Sequence, residues 1–201
     1  MPRKDEVHED EDLEGYVLDA GESLENCRFL RCNLTASRLA EVQTTRCEFE
    51  DCDFTRARLD ASRHQSTSFL NCNFTNADLY GGSFERCRMV GSDFLGANLS
   101  CLKIQGGDWS FTLLRSQKLD EFDFSNVKLV SADFSGSSLK RASFRDAILT
   151  NANLTGAKLQ KADLRGAEIS GVNLQGVDLK GARMNLEQAL LFAACHGIVI
   201  E

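Results

Sequence analysis

From Leu24 to Met184, every fifth residue is Leu, Phe, Ile, Met or Trp at 31 of 33 positions, with Thr44 and His64 the exceptions. No insertion or deletion breaks this frame over 160 residues. A helix period of 3.6 or a strand period of 2 cannot generate it, so the chain reads as a solenoid of short repeats. Two residues before most apolar centres stands a small residue, as in Cys32, Cys52, Ala57, Cys72, Ala77, Ser92 and Ala97, and then an alanine at each step from Ala142 to Ala167. Each pentad therefore offers two inward positions, one large and one small.

The triplets Cys52-Asp53-Phe54, Cys72-Asn73-Phe74, Ala77-Asp78-Leu79, Ala97-Asn98-Leu99, Ala132-Asp133-Phe134, Ala152-Asn153-Leu154 and Ala162-Asp163-Leu164 repeat one motif: small residue, Asp or Asn, Leu or Phe, then two free positions. This pattern resembles the pentapeptide-repeat family. The resemblance implies an all-β fold, a right-handed quadrilateral parallel β-helix in which each pentad forms one side and residues twenty apart stack. About eight coils follow, and at roughly 4.8 Å per strand the rod is about 40 Å long. The expected organisation is a tail over 1–21, the β-helix over 22–184, and a short C-terminal α-helix with a dimerisation segment over 185–201.

The frame gives most of the unusual residues a structural role. Cys32, Cys52 and Cys72 fall on one face and Cys27, Cys47 and Cys87 on the next, all at the small inward position. Buried free cysteine packs as a small hydrophobe, which accounts for them; metal binding is the alternative, although their spacing matches no zinc site. His64 takes a centre position with no second histidine in the coil, so a locally satisfied ring is expected rather than a ligand or base. In the middle, Leu102, Gln117 and Phe122 occupy small positions. Their extra volume predicts a local widening or a changed turn, with a ligand site as the alternative.

Composition narrows the function. The 201 residues carry 30 acids against 23 bases, a formal net charge of −7, which argues against a general nucleic-acid or lipid-surface binder. The single proline means that the turns are made without it. An acidic start with no apolar run, and no stretch of roughly 18 apolar residues, point to a cytoplasmic protein without a membrane span. No phosphate-cradling glycine motif, nucleophile–histidine pair or metal spacing supports an enzyme or a cofactor. Residues 1–21 hold eight acids and two bases and lack the pattern, so little order is expected there. Between Glu22 and Leu186 the count is 20 acids to 21 bases, so the coil itself is close to neutral. The face bearing Asp53, Asp93 and Asp133 has only Arg56 and Arg115 as bases; the face bearing Lys140, Arg141, Lys158, Lys161 and Lys180 leans positive.

After Met184 the sequence runs Asn185-Leu186-Glu187-Gln188-Ala189-Leu190-Leu191-Phe192-Ala193-Ala194-Cys195-His196-Gly197, which predicts a helix with a capping box at Asn185 and Gln188 and a stop at Gly197. Its apolar residues nearly encircle it, so a second cover is expected, and a second copy of the chain is the simplest. Leu186, Ala189, Leu190, Phe192, Ala193, Ile198 and Ile200 form the expected dimer interface. The helix and its His-Gly-Ile-Val-Ile ending are similar to the Qnr and MfpA branch of the family, and the uninterrupted repeats look more like MfpA. That resemblance implies a rod-shaped homodimer joined at its C-termini, which engages DNA gyrase where duplex DNA would lie and protects it from quinolones. The partner-binding residues implied are Asp53, Asp93 and Asp133; the alternative is a structural interaction module with another partner.

Overall fold

The computed structural model describes residues 3–174, 176–195, 197 and 199. Ten short strands run in parallel: β1 (Arg3–Lys4), β2 (Val7–Glu9), β3 (Ser23–Glu25), β4 (Arg28–Leu30), β5 (Gln43–Thr45), β6 (Glu48–Glu50), β7 (Arg63–Gln65), β8 (Ser68–Leu70), β9 (Ser83–Glu85) and β10 (Lys103–Gln105). They form a six-stranded sheet in the order β1-β3-β5-β7-β9-β10 and a four-stranded one in the order β2-β4-β6-β8. The other two sides are ladders of single bridges, one through Asn33, Asp53 and Asn73 and one through Arg38, Arg58 and Asp78. Four sides and a register of twenty make the quadrilateral parallel β-helix that the family resemblance implies. A helix, α1 (Leu186–Cys195), follows the last rungs.

The side chains five apart meet on the axis. Phe29, Phe49 and Phe69 stack with ring centroids 4.7 and 4.8 Å apart, and Phe54, Phe74 and Phe94 with 4.9 and 5.1 Å, which is the spacing of neighbouring strands. Each small inward residue fills the space beside a ring and can serve its backbone too. The Cys52 thiol donates to the Phe29 carbonyl at 3.4 Å, and Ser92 donates in the same way to Phe69 at 3.0 Å.

The corners explain the missing prolines. Two residues after each centre the chain takes a left-handed conformation, with φ of 51° at Arg31, 53° at Asp51, 57° at Asn76 and 59° at Arg141. A residue with a Cβ is strained there by roughly 1–2 kcal/mol. The strain is offset because its N–H then points along the axis to the next rung, as from Arg31 to the Glu50 carbonyl at 2.9 Å.

Residues 3–21 correct the expectation of a disordered tail: they form a further coil. Arg3, His8, Leu13 and Leu18 lie five apart, but six residues separate Leu18 from Leu24, so the frame slips by one at Gly21. The register shows the slip directly, with Arg3 opposite Leu24, His8 opposite Phe29, Asp12 opposite Asn33 and Val17 opposite Arg38, each twenty-one apart. His8 stacks on Phe29 at 4.6 Å, and its ring nitrogens reach Glu11 at 2.9 Å and Glu6 at 3.3 Å. Arg3 donates to the Tyr16 hydroxyl at 2.7 Å. A solenoid needs a polar terminal repeat to close its core against water, and this coil supplies one.

The expected widening is also present. Between residues 98–106 and 118–125 the rungs separate on two sides, while Asp93 stays bridged to Leu113 and Asp108 to Lys128 on the others.

Candidate functional site

Asp53, Asp93 and Asp133 lie on one ladder, in the order Asn33, Asp53, Asn73, Asp93, Leu113, Asp133, Asn153. The acids are two rungs apart, about 10 Å at the usual strand spacing, so no two carboxylates stack directly. One oxygen of each is engaged in the fold: Asp53 accepts the Thr55 N–H at 2.9 Å, Asp93 that of Leu95 at 2.9 Å and Asp133 that of Ser135 at 2.9 Å. Asn73 and Asn153 make the same turn with Thr75 and Thr155. The Asp or Asn before each centre is therefore first a turn brace, made through one side-chain oxygen. Asp93 shares its other oxygen with Arg115 at 3.5 Å.

Elsewhere acids and bases are interleaved by the register. Arg31 bridges Glu9 and Asp10 on the preceding rung, Lys4 meets Glu25 at 2.6 Å, and Asp163 lies between Arg145 and Arg165. The Arg165 guanidinium holds the Asp163 carboxyl down at about 2. These pairs lie at the surface, exposed or half-buried, and each contributes little to stability. The acidic excess is concentrated in the first coil, which is part of the rod and not a loose tail, so one end of the rod is more acidic than its body.

None of the other sequence candidates forms a reactive site. His64 is fully buried, with Nε2 2.8 Å from the Ser62 hydroxyl and Nδ1 2.8 Å from Thr44. Ser62 donates to the Leu59 carbonyl, so it accepts from Nε2–H, and Thr44 then donates to Nδ1: the ring is satisfied locally. Burial pushes its pKa down to about 3. Cys47 and Cys87 are pushed up to about 11 by burial, which leaves them protonated at neutral pH. Cys27, Cys32, Cys47, Cys52, Cys72 and Cys87 are all buried as small core residues. Among the described residues no three His, Cys, Asp or Glu side chains are grouped to hold a metal ion, and no helix is long and apolar enough to cross a membrane.

The family profile described as pentapeptide repeats matches residues 110–146 and 147–185, and that described as a pentapeptide repeat region matches 22–99. The chain belongs to the pentapeptide-repeat family. Among solved structures, this pentapeptide-repeat protein is similar to a trypsin-treated variant of QnrB1, a plasmid-mediated fluoroquinolone resistance protein, at 26% identity and a TM-score of 0.72 over 99% of both chains. A second trypsin-treated QnrB1 variant gives 25% identity and 0.69 over 100% of both. HetL, from the cyanobacterium Nostoc sp. strain PCC 7120 and involved in heterocyst differentiation regulation, shares the fold at 23% identity and 0.64, over 92% of this chain and 89% of its own. A comparison with the curated proteins matches none of them. The chain is thus a Qnr-like pentapeptide-repeat protein.

In this pentapeptide-repeat protein α1 rests on the last rungs by one side. Gln188 is buried; its amide donates to the Ala167 carbonyl at 2.7 Å and its oxygen accepts the Asn185 N–H at 3.0 Å, half of the expected capping box. Phe192 packs against the core and Ala193 is half-buried, whereas Ala189 is exposed. Leu186 is 76% exposed and Leu190 and Leu191 are each 42% exposed, so the far side of the helix is apolar and uncovered. Ile198 and Ile200 lie outside the described residues. Of two features of the surface, the first coil and the opened rungs, the sequence frame missed the first and anticipated the second. Arg3, His8, Leu13 and Leu18 signalled the first once a slip of one residue is allowed, and the oversized Leu102 and Phe122 signalled the second.

Proposed function

We propose that this protein binds DNA gyrase, a type II topoisomerase, and protects it from fluoroquinolones. The observation that carries this reading is the likeness to QnrB1 along the whole chain, at 26% identity. Two features support it. The chain is a rod with acids spaced along one side at Asp53, Asp93 and Asp133 and an acidic first coil, a surface that a basic, DNA-binding groove attracts. Its last helix leaves Leu186, Leu190 and Leu191 in water, and a two-fold contact between two copies would cover them. The active species in this reading is a C-terminally joined homodimer, acting in the cytoplasm without a cofactor and without chemistry of its own.

A second reading, an interaction module for a different partner, is favoured by the near neutrality of residues 22–186. A duplex carries about one charge per 1.7 Å of axis, far denser than the acidic ladder here. Gyrase supercoiling with and without a fluoroquinolone, at increasing concentrations of this protein, tests the choice. Restored supercoiling in the presence of drug supports gyrase protection; no effect at a tenfold excess over gyrase leaves the second reading.

A further inference from the structure

In the regular rungs each centre donates its N–H to the carbonyl nineteen residues on, as Leu79 does to Asn98 at 2.9 Å and Leu119 to Ser138 at 2.7 Å. Among the described residues no backbone hydrogen bond joins 98–106 to 118–125. By the register of the other rungs, one lip of this opening carries the N–H groups of Leu99, Cys101, Ile104 and Gly106. The opposite lip carries the carbonyls of Lys118, Asp120, Asp123 and Ser125. β10, on the first lip, is the last strand of its sheet and pairs only with β9.

The cause is side-chain volume. Leu102 and Phe122 occupy small positions one above the other. Leu102 fits because Gly82 beneath it has no side chain: a Cβ there would lie 3.3 Å from a Leu102 methyl. Nothing makes equivalent room for Phe122 above Leu102, so its ring turns onto Phe124 at 5.2 Å and stays partly exposed. The rungs part, leaving a cleft of about 690 Å³ lined by Leu102, Ile104 and Phe122, with Lys103, Asp120 and Asp123 at its margins. Sites that enclose a ligand span roughly 300–1,000 Å³.

We propose that this cleft receives an extended segment of a partner polypeptide, which adds a strand to β10. Both lips carry donors and acceptors at ladder spacing, since by the same register the first also holds the Leu102 carbonyl and the second the Lys118 and Asp123 N–H groups, and an extended backbone is the ligand that offers partners to both. An apolar small molecule would fill the floor and leave the backbone groups unpaired, at a cost for each one buried. Along a guest strand alternate side chains point to opposite faces, so every second residue meets Leu102, Ile104 and Phe122 and is apolar. Protein sheets usually guard an open edge, because it is a template for another strand; here one stands in the middle of a rod, with bridged rungs before and after it. The proposal rests on the opened rungs alone and not on the topoisomerase reading.

The test selects phage-displayed random 12-residue peptides on the full-length protein, with a Leu102→Ala/Phe122→Ala variant as the counter-target, since small residues there let the rungs close. Peptides that alternate apolar and polar residues are expected to enrich, to bind the variant at least tenfold more weakly, and to slow hydrogen exchange at Leu99, Cys101 and Ile104. Should the double variant fail to fold, Phe122→Asp replaces it, placing a charge on the apolar floor while the rungs stay apart; the same tenfold loss is expected. The idea is overturned if no sequence enriches on the wild type over the variant, or if the enriched peptides protect amides elsewhere. It is equally overturned if Leu99, Cys101 and Ile104 in the free protein already exchange as slowly as Leu79 and Leu119.

Discussion

Thr44 and His64, the two polar residues at inward centres, stand on adjacent rungs and hydrogen-bond each other, Oγ1 to Nδ1, at 2.8 Å. Their sheet pairing places them side by side, and Thr67 joins the pair through Thr44 at 2.9 Å. Two departures from an apolar frame are thus one feature, a polar cluster whose members satisfy each other inside the core.

That cluster makes stability depend on pH. The His64 pKa is lowered to about 3 in the folded chain by burial, against an ordinary 6.5. The unfolded state binds the extra proton first, so this contribution is complete above pH 6.5 and is lost as pH falls towards 3. One proton gives a slope of up to about 1.4 kcal/mol per pH unit. Urea unfolding of wild type and His64→Leu between pH 5 and 7 checks it: the wild type is expected to lose stability more steeply, and equal slopes would refute the assignment.

Phe134 is fully buried within closed rungs and packs edge-on against Phe124 and Phe144. Replacing Phe134 with Ala should destabilise the fold by about 3–5 kcal/mol, the usual cost of emptying an aromatic site. A loss below about 1 kcal/mol in chemical denaturation would show that the axial stack does not support the rod.

Gly107 has φ 92° and a Cβ there would lie 2.2 Å from the Cys87 carbonyl oxygen, whereas at Gly156, φ 68°, the nearest atom would be 3.9 Å away. Gly107→Ala is therefore expected to cost more than about 2 kcal/mol, since backbone must move. Gly156→Ala should cost about 1 kcal/mol, the strain of a left-handed corner alone. Thermal unfolding of the two variants side by side settles the order.

The acidic ladder should be tested with Asn rather than Lys. Each of Asp53, Asp93 and Asp133 braces a turn through one oxygen, and Asn73 and Asn153 already do so on the same ladder. The triple Asp→Asn variant should unfold within a few degrees of wild type yet bind gyrase more weakly and with less dependence on salt. If Lys158→Glu and Lys161→Glu impair protection and the Asn variant does not, the opposite side of the rod makes the contact.

Leu190 on the uncovered side of α1 should decide the oligomeric state. Leu190→Asp is expected to convert a dimer into monomers in light scattering at micromolar concentration, because a carboxylate buried without a partner costs several kcal/mol. The helix should survive, since residue 190 is on the side away from the buried Gln188. A monomeric wild type would end the dimer proposal.

The coil over 24–184, its inward residues and the packing role of its cysteines were legible in the sequence because the repeat is local: each pentad states which of its own residues turn inward. Gly21 shows where that stops. One added residue leaves the pattern around His8, Leu13 and Leu18 intact but shifts it, and it is the pairing across rungs, such as that of His8 with Phe29, that shows that the coil continues. Asp53 likewise reads as a surface charge in the sequence, although one of its oxygens is taken up by the Thr55 amide. The parting of rungs 98–106 and 118–125 was signalled in the sequence by the oversized Leu102 and Phe122, but which rungs part was decided by the tertiary structure. It depends on whether Phe122 can be stacked over Leu102, twenty residues earlier, and volume shared between rungs exists only once the chain has been wound.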